Sequence, residues 1–214
     1  MDDRVKKRSY DVAARQAQSA ATRQRIIDAA RELISDGGYR ATTIAAVAAR
    51  ADVSVDTVYT LVGRKPVLVA ELIEQAISGT DHAVTAEDRD YVKAIRAEPD
   101  AARKIGIYAH AMRETHARLA PIFVALRDAS STDADARDVW KRISDRRAAN
   151  MRQFVRDLRA AGGLRHDLSI NDAADTVWAT NSPELYVMLT VERRWSPQHY
   201  EDWLADTWRR LLLP

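Results

Sequence analysis

Between Thr42 and Lys65 the chain gathers Thr42, Thr43, Ser54, Val55, Asp56, Thr57, Tyr59, Thr60 and Lys65. These side chains do not break covalent bonds, but they can bond what a nucleic acid displays. The Thr57 hydroxyl can meet a base edge or a phosphate, Val55 a thymine methyl, and Asp56 a cytosine amino group. In the first turn of a helix, the Asp56 carboxylate also complements the macrodipole, a purely structural role. Tyr59 suits the sugar-phosphate, and Thr42 and Thr43 are candidates for phosphate oxygens. Lys65 stands just before Pro66, which suits the first turn of a helix, so a lysine beside a helix N-terminus offers a phosphate clamp. Lys65 can equally be an ordinary surface lysine.

The chemistry of an enzyme is missing from the sequence. There is no Cys, and the five His (82, 110, 116, 166 and 199) are scattered. His110 and His116 are six residues apart, on different faces of a helix, so no metal spacing arises. No phosphate-cradling glycine loop, G-x-S-x-G elbow or H-E-x-x-H occurs. The expectation is a protein that is not an enzyme and needs no cofactor.

Two short helical patterns must position the polar residues of the first group. Ile44, Val47, Ala48 and Ala51 recur at i, i+3, i+4 and i+7, and Thr42 or Thr43 can cap the start. The second pattern starts at the N-cap residue Ser54 and carries Val58, Leu61 and Val62. Ala51-Asp52-Val53 joins them, and Asp52 tolerates the positive φ that a sharp turn needs. Helices this short need a third to lie on. The segment from about Asp11 to Asp36 supplies it, with Ile26, Ala29, Ala30, Leu33 and Ile34 in register, Gly37-Gly38 as its stop and Tyr39 packing back. Arg23 and Arg25, on its polar side, are further phosphate candidates. The pattern is a helix-turn-helix, whose second helix enters a major groove. An ordinary helical hairpin is the alternative that the same spacing allows.

The run TRQRIIDAARELISDGGYRATTIAAVAARADVSVDTVY, with Lys65 and the apolar Leu68 after it, resembles the DNA-binding domain of the TetR family of transcriptional regulators. The resemblance spans Thr22 to Leu72; beyond it, only length and helical character agree. Asp52 stands where the family's turn usually has Gly, Val55-Asp56 where Lys-Gly or similar pairs are common, and Val62 where an aromatic is frequent. The resemblance implies a homodimer on a palindromic double-stranded DNA operator, most often a repressor, released by a small molecule of unknown identity.

Composition agrees with an all-α fold. The chain has 214 residues, 46% of them apolar, with only 7 Gly and 6 Pro. No alternating β-branched runs and no internal repeats stand out. Net charge is +2. Residues 1 to 66 hold 12 Lys+Arg against 8 Asp+Glu, and the remainder 21 against 23, so the N-terminal third is the basic part. Arg4, Lys6, Lys7 and Arg8 suit a flexible arm that follows phosphates or enters a minor groove. No apolar run is long enough for a membrane span, and no signal peptide is evident. A cytoplasmic location is expected.

Residues 1–66 are thus read as an arm plus a three-helix DNA-binding domain, and 67–214 as a helical bundle for effector binding and dimerisation. Val67 to Ile77 forms the helix shared by both. Helices are expected over 87–97, from Pro99-Asp100 to about 120, anew from Pro121, over 138–161, over 170–191 with a break at Asn181-Ser182-Pro183, and from Ser196-Pro197 to the end. Residues 129–136 read as a polar loop. Helices at about 169–191 and 196–212 are the expected dimer surface, where Trp203 and Trp208 could also be core. An effector cavity between bundle helices would be lined by Tyr108, Met112, His116, Phe123, Trp140, Asn150, Phe154, Trp178, Asn181 and Tyr186, each also an ordinary core residue. Two rivals remain: an architectural or effector-independent DNA binder, and a helical protein–protein adaptor.

Overall fold

The computed structural model describes residues 3–80, 82 and 84–214, with side chains from residue 14 onward. Its elements are α1 (Asp3–Ala41), α2 (Ile44–Arg50), α3 (Val55–Leu61), α4 (Lys65–Ser78), a 3-10 turn (Ala86–Asp88), α5 (Asp90–Ala97), α6 (Ala101–Ser130), α7 (Ala134–Ala160), α8 (Ile170–Thr180), α9 (Pro183–Val187), a π-helical turn (Met188–Glu192) and α10 (Pro197–Leu212). No strand occurs among the described residues, so the all-α class holds. None of the described helices is long and apolar enough to cross a membrane. The chain divides within α4 into two compact units, Met1–Leu72 and Ile73–Pro214. The basic cluster Arg4, Lys6, Lys7 and Arg8 lies outside the residues whose side chains are described.

In the first unit α1, α2 and α3 close on one small core. Ile26, Ile27, Ala30, Val47, Val58, Leu68 and Leu72 are buried there. Gly38 breaks the helical path of α1 at φ 72°, a conformation glycine adopts without a Cβ penalty. Tyr39 then folds into the core. Thr43 caps α2, its hydroxyl accepting from the Ala46 amide at 3.1 Å. Asp52 adopts φ 54°, as the turn requires. Ser54 caps α3 by accepting from the Thr57 amide at 3.1 Å.

The second unit is built around α6, on which α5, α7, α9 and α10 pack, with α8 lying on α7. Apart from α5, whose start has no side-chain cap, every α-helix here opens on a capping residue. Asp100, Asp133, Ser169, Ser182 and Ser196 each accept from an amide in the first turn of the helix they open. Pro183 and Pro197 follow two of these caps, where a missing N–H costs nothing. The core joins Ile105, Tyr108, Phe154, Val155, Leu158, Leu204 and Trp208. Trp208 is fully buried and donates to Thr180 Oγ1 at 2.8 Å.

Three sequence expectations are corrected. Pro121 starts no new helix: α6 runs through it for 30 residues. Pro121 and Ala117, whose carbonyl loses its partner, face solvent, while Leu119, Ala120, Ile122 and Phe123 are buried. Water can serve the freed carbonyl, and burial on both sides keeps the chain helical. The polar stretch 129–136 is mostly helix, with only 131–133 between α6 and α7. The Ser130 and Ser131 hydroxyls bond carbonyls of the last turn of α6, and Asp133 caps α7. The helix expected from Glu87 begins at Asp90, preceded by the 3-10 turn.

Candidate functional site

The first candidate is the outer face of α3. Val55 and Tyr59 are 40% and 50% exposed, and Asp56 and Thr60 are exposed beside them. Large apolar and aromatic groups left in water on a seven-residue helix are not explained by the core, which takes only Val58 from it. Thr57 is half-buried, and its hydroxyl lies 2.8 Å from the Ser54 hydroxyl. The cap therefore fixes the direction of Thr57 as well as the start of the helix. Thr43 is exposed at the start of α2.

Thr42 differs from its neighbour. It is fully buried, and its hydroxyl donates to the Gly38 carbonyl at 2.9 Å. It ties the α1–α2 turn and presents nothing outward. Arg23 is half-buried: it forms a two-pronged ion pair with Glu71 and donates to the Leu61 carbonyl at 3.1 Å. It joins α1, the end of α3 and α4. Arg25 remains exposed. The Lys65 ammonium sits 3.8 Å above the Tyr39 ring, a cation–π contact that holds the start of α4 on the core. Arg64, one residue earlier and exposed, escaped the sequence reading. Its only sequence signal was adjacency to Lys65.

The second candidate lies inside the second unit. A chamber of about 40 Å³ is bordered by Tyr108, Met112, His116, Asn150 and Asn181, five of the ten residues expected there. Beside it a cavity of about 240 Å³ shares Tyr91, Tyr108 and Asn150 and adds Phe154. A broader open cleft of about 820 Å³ is also bordered by Arg89 and Tyr91. Phe123, Trp140, Trp178 and Tyr186 are not among the walls of these three. Phe123 is buried core. Tyr186 packs edge-on against Tyr200, with ring centroids 4.9 Å apart. Trp178 lies under the Arg147 guanidinium at 5.4 Å.

The polar groups of the chamber form one network. Asn181 donates from Nδ2 to the Tyr108 hydroxyl at 3.2 Å, and Tyr108 donates to the Met151 sulfur at 3.1 Å. Burial raises the Tyr108 pKa well above the ordinary phenol range. His116 shares a hydrogen bond with the Tyr200 hydroxyl at 3.0 Å. Burial, with the Arg147 charge adding to it, lowers the His116 pKa to about 3, so the ring is neutral. Arg147 donates to the carbonyls of Trp178 and Asn181 at the end of α8. Burial also pushes its pKa down from the usual guanidinium range. Sequence reasoning missed Arg89 and Arg147, because charged residues on polar-looking helix turns carry no periodic signal of pointing inward. No cluster of metal-ligating residues occurs among the described residues.

Residues 26–72 match the family model described as bacterial regulatory proteins, tetR family. No curated protein sequence matches the chain at a significant level. Solved structures share the fold at low identity. A protein described as a transcriptional regulator from Saccharomonospora viridis, in complex with choline, is 20% identical, covers 90% of this chain and 97% of its own, and has a TM-score of 0.67. One described as a TetR-family transcriptional regulator from Syntrophomonas wolfei is 15% identical over 89% and 94%, with a TM-score of 0.70. The regulator FadR from Bacillus subtilis, in complex with stearoyl-CoA, is 15% identical over 86% and 96%, with a TM-score of 0.66.

Proposed function

We propose that the chain, whose residues 26–72 match the DNA-binding domain of the TetR family of transcriptional regulators, is a ligand-responsive regulator of that family, a repressor that binds a palindromic operator as a homodimer. One observation carries this reading: α3 leaves Val55, Asp56, Thr57, Tyr59 and Thr60 outward on a helix whose start and turn are fixed by Ser54 and Asp52. Such a helix contributes little to its own core and much to a groove. Residues 1–66 take the DNA in this reading, with Thr43 and Lys65 on phosphates and Ser54 acting through Thr57. Residues 67–214 take the effector and the second copy. The resident compartment is the cytoplasm, where the DNA is.

The effector would occupy the second unit, as the choline and stearoyl-CoA bound to the two structural relatives suggest by analogy. To move the protein from mostly bound to mostly released, it must favour one conformer by about 5.5 kcal/mol. Taken alone, a chamber of about 40 Å³ would suit a rival, a DNA-binding protein with a filled core and no effector, but the 240 Å³ cavity beside it does not.

Fluorescence anisotropy on the DNA upstream of the chain's own gene, with scrambled competitor and a salt series, tests the reading. Thr57→Ala should lose specific binding by roughly 1–3 kcal/mol. Arg64→Ala or Lys65→Ala should weaken binding on all sequences and reduce the salt slope by about one phosphate contact. Binding that never exceeds the competitor's, on this DNA or on fragments selected genome-wide, would sink the proposal.

A further inference from the structure

The walls of the interior chamber hold three arginines, Arg89, Arg146 and Arg147, and no carboxylate. Arg146 is neutralised by an ion pair with Glu74. Arg89 and Arg147 have no ion pair among the described residues. The acid that Arg147 senses, Glu184, is held by Arg127 at 2.7 Å. His116, which also borders the chamber, is neutral and supplies no counter-charge. A buried cation without a partner is costly, and proteins keep one mainly where something supplies the missing charge.

Arg147 has a structural use, since it takes two carbonyls at the end of α8. Arg89 has little. It is only 8% exposed, yet its contacts are long: 3.3 Å to the Val84 carbonyl and 3.5 Å to the Tyr91 hydroxyl. Its Nε has no acceptor at all, and Asn181 Oδ1, on the same chamber, has no donor. Both guanidiniums stand near enough to the Tyr108 hydroxyl to act on it, so the two charges converge on one place.

We propose that this chamber receives the acid group of an amphipathic organic anion, with Arg89 as its ion partner and Arg147 supporting it. The inference rests on the reading that the second unit takes an effector. The chamber has room for a headgroup, roughly three waters' worth of space. The rest of the ligand lies in the 240 Å³ cavity, where Tyr91 and Tyr108 pass from one space to the other and Ile95 and Phe154 offer apolar surface. That volume fits one ring or a short chain. Asn181 Oδ1 accepts from a hydroxyl or water that accompanies the acid.

The test is thermal unfolding and calorimetry of the full chain with 4-hydroxybenzoate and octanoate, each beside its uncharged amide. The acids should raise the melting temperature and the amides should not. Arg89→Met should weaken acid binding roughly tenfold or more, as expected for a lost charged hydrogen bond, and should leave the DNA affinity of the ligand-free protein unchanged. Arg89→Lys, which keeps the charge, should retain the preference for acids. Equal shifts with acid and amide, an acid preference that survives Arg89→Met, or no shift with either acid would each overturn the proposal. DNA binding measured without any probe keeps the two readings apart. A protein that leaves its operator for an uncharged compound remains a ligand-responsive regulator but not one for anions, whereas an acid-specific shift in a protein that binds no DNA would overturn the regulator and keep the site.

Discussion

His116 shows how one buried residue ties stability to acidity. Burial strips it of water and the Arg147 charge adds to the cost of an imidazolium, while the Tyr200 hydroxyl and the Tyr186 ring 5.7 Å away supply no negative charge to offset it. The folded protein holds its pKa at about 3, against 6.5 for the free side chain. Between those values the unfolded chain binds a proton that the folded chain refuses. The stabilisation is therefore complete above about pH 6.5 and is lost as the pH falls toward 3, at up to about 1.4 kcal/mol per pH unit. Urea unfolding at pH 7 and pH 5 should show a drop that His116→Gln reduces by as much as about 2 kcal/mol. The same pH dependence in both proteins would mean that the ring is protonated in the fold without cost. Thr42 and Arg23 teach a related lesson: residue type suggested an outward role for each, and intramolecular partners engage both, the Gly38 carbonyl for Thr42 and Glu71 with the Leu61 carbonyl for Arg23.

At the scale of elements, local chemistry and burial compete, and α6 is where burial prevails. Pro121 denies the helix one hydrogen bond at a solvent-facing turn, while the buried residues on either side hold the path. Pro121→Ala should restore that bond without disturbing the core. The gain should be about 2 kcal/mol, the helix-interior cost of proline less its entropic benefit in the unfolded chain. It would be read as a higher urea midpoint with an unchanged slope; a lower midpoint would show that packing of Leu119 and Phe123 depends on the proline. Elements were mostly legible in the sequence because their signals are local: Ser54, Asp100 and Ser196 open helices where they were expected to, and Asp52 takes the positive φ. The interior chamber was legible only in part. Tyr108, Met112 and His116 recur on one face of α6, Asn150 stands beside the apolar positions of α7 and Asn181 at the break after α8, so they could be named, whereas Arg89 enters from the turn before α5 and Arg147 from a polar-looking turn of α7. Their inward direction is decided by which helices meet, and no periodicity records that.

For the whole molecule, in the proposed reading, one α3 would meet only a few base pairs, and two half-sites about 34 Å apart would call for two copies. The second unit offers a surface suited to that purpose. Met188, Val191 and Leu211 are 50%, 66% and 43% exposed, all within the π-helical turn after α9 or in α10. Of the two tryptophans that the sequence left between core and interface, both on the same helix, Trp208 is fully buried core and Trp203 packs against that core partly buried. Large apolar groups held in water by capped helices add nothing to a monomer, and a stable dimer needs about 800 Å² of such surface per partner. Leu211→Asp changes a side chain that lies outside the monomer's core. It should leave the melting of the single chain within about 0.5 kcal/mol. If α10 belongs to the dimer surface, light scattering should show the wild type as a dimer and Leu211→Asp as a monomer at micromolar concentration. Operator affinity should then fall steeply, because each half-site is read alone. A Leu211→Asp protein that remains dimeric and binds its operator as before would move the interface off α10. The same test with Val191→Asp would then show whether the π-helical turn carries it.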